Sequence, residues 1–150
     1  MKVLLLDSLR SMQNIGAIFR NADGSWFDKI YLSGHCSIPP RSDIHKTALG
    51  AERWIDWEYY NDPLEILTIL KKQRFFLVSV ELSSRSKNYT TLFENTHENI
   101  CLILGNEVSG VQEKILSISD EIVMIPMLWQ KESLNVSVAA GIVMYATVNS

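Results

Sequence analysis

At 150 residues, with 47% hydrophobic and 21% charged residues and a formal net charge of -3, the chain has the size and composition of one globular domain spanning residues 1–150. That apolar content excludes wholesale disorder. The mild acidity argues against a surface that is basic all over, as nucleic-acid binders often are, although local basic clusters exist. Cys36 and Cys101 form no Cys-x-x-Cys pair, and His35, His45 and His97 have no metal-ligand spacing, so neither a disulfide framework nor a metal site is expected. Cys101 sits in an apolar run and reads as a buried thiol. His35 and Cys36 are a poor catalytic pair, because adjacent side chains rarely point together.

In chain order, residues 3–6 read as a buried strand and 15–22 as a helix. A second strand follows at 29–32, a short helix at 44–51 and an edge strand at 54–60. Asp62-Pro63 starts a helix, with the Asp capping free amides and the Pro suited to the first helical position. Leu64, Leu67 and Leu70 give that helix its apolar stripe. Strand 75–80 leads into a polar, irregular stretch at 83–99 with a small apolar knot at Leu92-Phe93. Strand 100–104, helix 112–117, strand 121–125 and a closing helix at 134–148 complete the chain. Strands this apolar, separated by helices, are buried on both faces, which predicts an α/β fold with a mostly parallel sheet between helical layers. Only four apolar residues separate Lys2 from Asp7, too few for a secretory core. The apolar stretch 136–148 is interrupted by Ser137, Gly141 and Thr147 and is too short for a membrane span. A cytoplasmic protein without membrane association is expected.

Ligands of parallel sheets bind at the carboxyl ends of strands, so the loops after strands hold the candidate chemistry. In the first, Asn14 can cap the helix, and Arg20 lies six residues, nearly two turns, further on. In the second, Gly105 and Gly110 are spaced as in a phosphate loop, but Val111 and Gln112 stand where such a loop needs Lys and then Ser or Thr. What remains is a turn holding one carboxylate, Glu107, at a place where a helix dipole favours it. The third runs from Ile125-Pro126-Met127 through Ser133-Leu134-Asn135 into a closing helix rich in Ala, Gly, Ser and Val and apolar nearly all round, as a helix covered on both sides would be. Basic residues gather at 41–46, 71–74 and 85–87, the kind of groups that contact phosphates. A hydrolase or nucleotide-triphosphate enzyme is disfavoured, since there is no Gly-x-Ser-x-Gly elbow, Walker loop or Gly-x-Gly-x-x-Gly.

Asn14-x-Gly16-x-x-x-Arg20, Leu104-Gly105-Asn106-Glu107-x-x-Gly110, and Ile125-Pro126-Met127 with Ser133-Leu134-Asn135-Val136-Ser137-x-Ala139-Ala140 together resemble the three motifs of the SPOUT superfamily, specifically its SpoU–TrmH class of RNA 2′-O-methyltransferases. The stretch from Ile44 to Glu52, Ile-His-Lys-Thr-Ala-Leu-Gly-Ala-Glu, is also similar to that class. The resemblance spans nearly the whole chain. It implies a C-terminal deep trefoil knot, a rare exception to unknotted topology. It implies a homodimer through the closing helix, S-adenosylmethionine as cofactor, tRNA or rRNA as substrate, and a ribose 2′-hydroxyl as acceptor. The cofactor would be held by Val80, Glu81, Leu104, Gly105, Ile125, Met127, Ser133 and Leu134. The catalytic set would be Asn14, Arg20, Glu107, Ser133 and Asn135, with Asn14 and Glu107 orienting Arg20, and Ser133 and Asn135 shaping the transfer pocket.

Lowering an arginine pKa from about 12.5 to about 7 costs roughly 7 kcal/mol. Arg20 is therefore expected to act as a fixed charge that orients phosphate and stabilises a developing alkoxide. Trp129 departs from the class, which has Gly there; an indole at that point could narrow the pocket or stack on a base. Ala17 stands where the class often has a second Asn. The chain also starts directly at its first strand, and substrate choice is expected to come from the dimer surface itself. Two other readings keep the same fold: a non-catalytic dimer that binds RNA or cofactor, and methylation of a base nitrogen.

Overall fold

The computed structural model describes residues 1–148. Seven strands and five α-helices follow one another as β1 (Lys2–Asp7), α1 (Met12–Gly24), β2 (Lys29–Ser33), α2 (Ser42–Ala48), β3 (Asp56–Tyr60), α3 (Pro63–Lys72), β4 (Phe76–Val80), β5 (Lys87–Asn88), β6 (Ile100–Leu104), α4 (Glu113–Leu116), β7 (Glu121–Met124) and α5 (Val136–Ala146). Every strand pair is parallel, and the order across the sheet is β3-β2-β1-β6-β4-β7-β5. This is the parallel sheet between helical layers that the apolar runs predict.

Strand alternation divides the core in two. Leu4 and Leu6 of β1, with Ile100, Leu102 and Leu104 of β6, point to one face and pack with Ile15, Ile18 and Phe19 of α1 and Ala140, Val143 and Met144 of α5. Val3 and Leu5, with Cys101 and Ile103, point to the other face and meet Ile66, Leu67 and Leu70 of α3 and Ile115 of α4. Period-two side chains that are apolar at every position leave neither face in water. Fully burying one such Leu or Ile contributes about 1.5–3 kcal/mol.

Several boundaries differ from the sequence reading. Helix α1 begins three residues before Ile15, because Ser11 and not Asn14 is its cap: the Ser11 hydroxyl accepts from the Asn14 N–H at 3.1 Å. Helix α2 stops at Ala48, where Leu49 (φ 53°) and Gly50 (φ 100°) turn the chain into a short 3-10 turn at Ala51–Arg53. The stretch 83–99 contains the two-residue strand β5 and a 3-10 helix at Tyr89–Glu94; Leu92 is buried and Phe93 is exposed. Helix α5 starts at Val136, with Asn135 as its cap.

Gly16 is the point of closest approach between α1 and α2. A Cβ there would collide with the Ile44 carbonyl oxygen and the Thr47 hydroxyl. The Thr47 hydroxyl donates to the Gln13 carbonyl at 2.8 Å and ties the helices together. Among the described residues no helix is long and apolar enough to cross a membrane.

Candidate functional site

A cavity of about 690 Å³ opens where β4, β6 and β7 end. The segment after β4 supplies Val80 and Glu81, the one after β6 Leu104 to Val111, and the one after β7 Ile125, Met127 and Glu132 to Val136. Each wall is a strand's carboxyl end, where parallel sheets bind ligands. All eight residues expected at the cofactor line this one cavity: Val80, Glu81, Leu104, Gly105, Ile125, Met127, Ser133 and Leu134.

The wall between β6 and α4 is held by its own polar groups. Asn106 Oδ1 accepts from the N–H groups of Val108 (2.9 Å) and Ser109 (3.0 Å), while its Nδ2 donates to the Ser8 carbonyl at 2.8 Å. Gly110, at φ 72°, lies against the Glu81 carboxylate, so a side chain there would both strain the backbone and strike Glu81. That carboxylate accepts from the N–H groups of Val111 (2.8 Å) and Leu82 (2.9 Å), joining two cavity walls.

Three of the five expected catalytic residues form one directional chain on the rim. Asn135 Oδ1 accepts from Ser137 N (2.9 Å), Ser137 Oγ (2.6 Å) and Val138 N (3.4 Å) at the head of α5. Its Nδ2 is thereby turned outward and donates to Asn14 Oδ1 at 3.2 Å. Asn14 Nδ2 then donates to Glu107 Oε1 at 3.3 Å. Glu107 closes the chain as an acceptor only, and also accepts from Ser11 N (3.1 Å) and Arg10 N (3.0 Å) at the head of α1. Partial burial acts to raise the Glu107 pKa, but the Arg10 and Ser11 N–H groups, with help from Asn14, outweigh it and hold the carboxyl below its ordinary value. The helix dipole that favours this acid belongs to α1, not to the α4 that follows it in sequence. Ser133 lines the same cavity.

Arg20 is not brought to this chain of side chains. It stands about 9 Å further along the axis of α1 than Asn14. It lines a separate open hollow of about 560 Å³ with Ala17, Asn21, Gly24, Lys46, Thr47 and Tyr145. Trp129 does not narrow the cavity: it is 86% exposed and forms no part of the lining. The basic clusters are partly neutralised by pairs such as Lys71–Asp120 (3.5 Å), Arg85–Glu113 (2.8 Å) and Lys87–Glu121 (3.8 Å). Cys36 is buried, its Sγ accepting from Leu9 N and donating to the Leu6 carbonyl; burial pushes its pKa up to about 11, which leaves an inert thiol beside the exposed His35. Sequence reading missed Asn106 as the organiser of its loop and Glu132 in the cavity wall. For Asn106 a signal existed: Asn followed by Ser three residues on, after a strand, favours a side-chain-closed turn.

The model of the SpoU rRNA methylase family matches residues 1–145. The chain is 31% identical over 144 residues to a tRNA (guanosine(18)-2′-O)-methyltransferase of Aquifex aeolicus, covering 95% of this chain and 66% of that protein. Curated relatives of this kind are longer, and the chain spans roughly half to two thirds of their length. Among solved structures, an A. aeolicus TrmH/SpoU tRNA modifying enzyme superimposes with a TM-score of 0.86 at 28% identity, over 97% of this chain and 73% of that one. The SpoU methyltransferase AviRb of Streptomyces viridochromogenes, in complex with the cofactor AdoMet, shares the fold, with a TM-score of 0.86 at 24% identity over 97% of this chain and 56% of that one. By its motifs, its fold and this match along nearly its full length, the chain belongs to the SpoU rRNA methylase family.

Proposed function

We propose that the chain methylates a ribose 2′-hydroxyl of tRNA or rRNA with S-adenosylmethionine, acting in the cytoplasm as a homodimer. The observation that carries this is the cavity at the ends of β4, β6 and β7, with the Asn135–Asn14–Glu107 chain on its rim. The residues present fit the cofactor. The volume suits a nucleoside with an amino-acid tail. Val80, Leu104, Ile125, Met127 and Leu134 offer apolar surface to an adenine, and Gly105, with no side chain, lets the Gly110–Val111 backbone close the turn that walls the cavity. Glu81 and Glu132 offer carboxylate oxygens to hydroxyls or to an ammonium group. When bound, S-adenosylmethionine supplies an electrophilic methyl group.

Little covalent chemistry is then required of the protein, and alignment of the acceptor oxygen supplies much of the rate. Glu107, fixed as a carboxylate, and Asn135, fixed by the head of α5, set the orientation of Asn14 between them. Ser133 and Asn135 shape the transfer pocket. Arg20, as a permanent cation, holds the phosphate next to the acceptor ribose and stabilises negative charge on its oxygen. Its separation from its own chain's cavity supports a dimer in which the second copy completes the site. The exposed, apolar face of α5, with Val138 and Tyr145, supports the same interface. Threading of the segment after β7 as a trefoil knot belongs to this reading; it is supported by α5 starting beyond β7 and returning to pack on α1.

The separate hollow of Arg20 also favours a second reading, a binding-only dimer. One assay separates the two. The protein is incubated with methyl-labelled S-adenosylmethionine and total RNA from cells lacking its gene, and the RNA is digested to nucleosides. Label in a 2′-O-methylnucleoside that disappears in Arg20→Ala, with cofactor binding retained by calorimetry, is the expected result. Label on a base nitrogen overturns the acceptor, and cofactor binding with no label on any RNA favours the binding-only dimer.

A further inference from the structure

The segment Ile44 to Glu52 has no part in the cavity at the ends of β4, β6 and β7, yet it is firmly held. Glu52 accepts from the Gly50 N–H at 3.0 Å and pairs with His45, fixing the end of α2. The close approach at Gly16 and the Thr47 hydroxyl bond to the Gln13 carbonyl fix α2 against α1. The result is that Lys46 and Thr47 share one hollow with Arg20, Asn21 and Tyr145. Arg20 is in no ion pair among the described residues. Lys46 meets only Asp43, at 3.1 Å, in an exposed pair one helical turn apart, a contact worth little against a phosphate. Two cations therefore face one open hollow, and among the described residues no acid lines it.

From this juxtaposition we propose that Lys46 is a positioning residue for the RNA, forming with Arg20 a two-cation clamp on the phosphodiester backbone beside the acceptor ribose. The inference rests on the RNA methyltransferase reading and names the part of the substrate that the hollow takes. Lys46 is a point charge that neutralises phosphate, while the planar Arg20 fork fixes its direction. The segment Ile44 to Glu52 then exists to hold Lys46 at this distance from α1.

The test is binding of total tRNA at several salt concentrations, in the presence of S-adenosylmethionine, alongside methyl transfer. Lys46→Gln is expected to weaken tRNA binding about five- to ten-fold near 0.1 M salt and to flatten the slope of log K against log salt by about 0.7–0.9, as loss of one phosphate contact requires. The loss falls on KM for RNA and leaves cofactor affinity intact. Lys46→Arg restores most of the binding, and Asp43→Asn, which releases Lys46, tightens it. Because the two cations hold neighbouring phosphates of one backbone stretch, the Arg20→Ala/Lys46→Gln double variant loses less than the two single losses combined. Wild-type affinity and slope in Lys46→Gln overturn the clamp. A Lys46-dependent salt slope without methyl transfer leaves the clamp standing and removes the enzymatic reading, while a wild-type protein that binds no RNA overturns both.

Discussion

Glu107 joins two things at the scale of a single residue: the head of α1, through the Arg10 and Ser11 N–H groups, and the site, through Asn14. Replacing it with Gln removes the charge at the helix terminus and adds an N–H that faces the Asn14 amide. A destabilisation of about 0.5–1 kcal/mol follows from the lost dipole interaction. The sign with pH is set by a folded-state pKa below the ordinary 4.5. Such a carboxylate stabilises the fold above that value, and its contribution is lost as pH falls through the lower, folded-state pKa. Urea midpoints of wild type and Glu107→Gln should therefore differ at about pH 7 and converge as pH falls through the lowered folded-state pKa; a gap that does not change with pH would mean that charge is not what Glu107 contributes. The acid itself was legible in Gly105-Asn106-Glu107, because a carboxylate after a strand signals a helix dipole. Its helix was not legible. The partner amides lie at Arg10 and Ser11, far back in the chain, and local pattern carries no information on such a contact.

Between elements, the α1–α2 junction is the tightest and also the one on which the proposed clamp depends. Gly16→Ala adds helix propensity worth about 1 kcal/mol, but its methyl meets the Ile44 carbonyl and the Thr47 hydroxyl, neither of which is a flexible chain end. Overpacking should win, with a net loss of about 1–3 kcal/mol in urea unfolding. RNA binding should weaken with it, as α2 and Lys46 are pushed away from Arg20. An unchanged or raised urea midpoint would show that α2 can shift without cost. The long apolar strands β1 and β6 were legible because burial on both faces leaves an unbroken run of Val, Ile and Leu. Strand β5 was not, since Lys87 and Asn88 are both exposed and polar and carry no apolar signal of their pairing with β7. The stop of α2 at Leu49 was hidden for a different reason: a branched side chain at positive φ goes against its own steric preference, so Leu49 carries no local signal of the turn.

For the whole molecule, the decisive fact is that β6 lies between β1 and β4. That order brings the turn after β6 against the segment after β1 on one side and Glu81 on the other, so residues from all three sequence motifs share one site. Apolar runs separated by helices imply a parallel sheet but are silent on strand order, so the separation of Arg20 from Glu107 could not be read in advance. It follows from Arg20 lying further along α1, exposed in an open hollow that α2 and α5 flank. A second copy docked on α5 is the arrangement that would let Arg20 serve a cavity. Val138 and Tyr145, two turns apart on α5, are 51% and 56% exposed, an apolar surface left in water by one chain alone. Val138→Arg tests this directly. In a single chain the position faces solvent, so the fold should lose no more than about 0.5 kcal/mol. In a dimer the charge would be buried without a partner, a change that is strongly destabilising to an interface. Sedimentation equilibrium should give twice the chain mass of 17.1 kDa for wild type and the single-chain mass for the variant. Methyl transfer should fall with the dimer. A monomeric wild type would remove the second copy from the mechanism, and Arg20 would then have to reach the acceptor within its own chain, by a movement of α1 relative to the loop after β6.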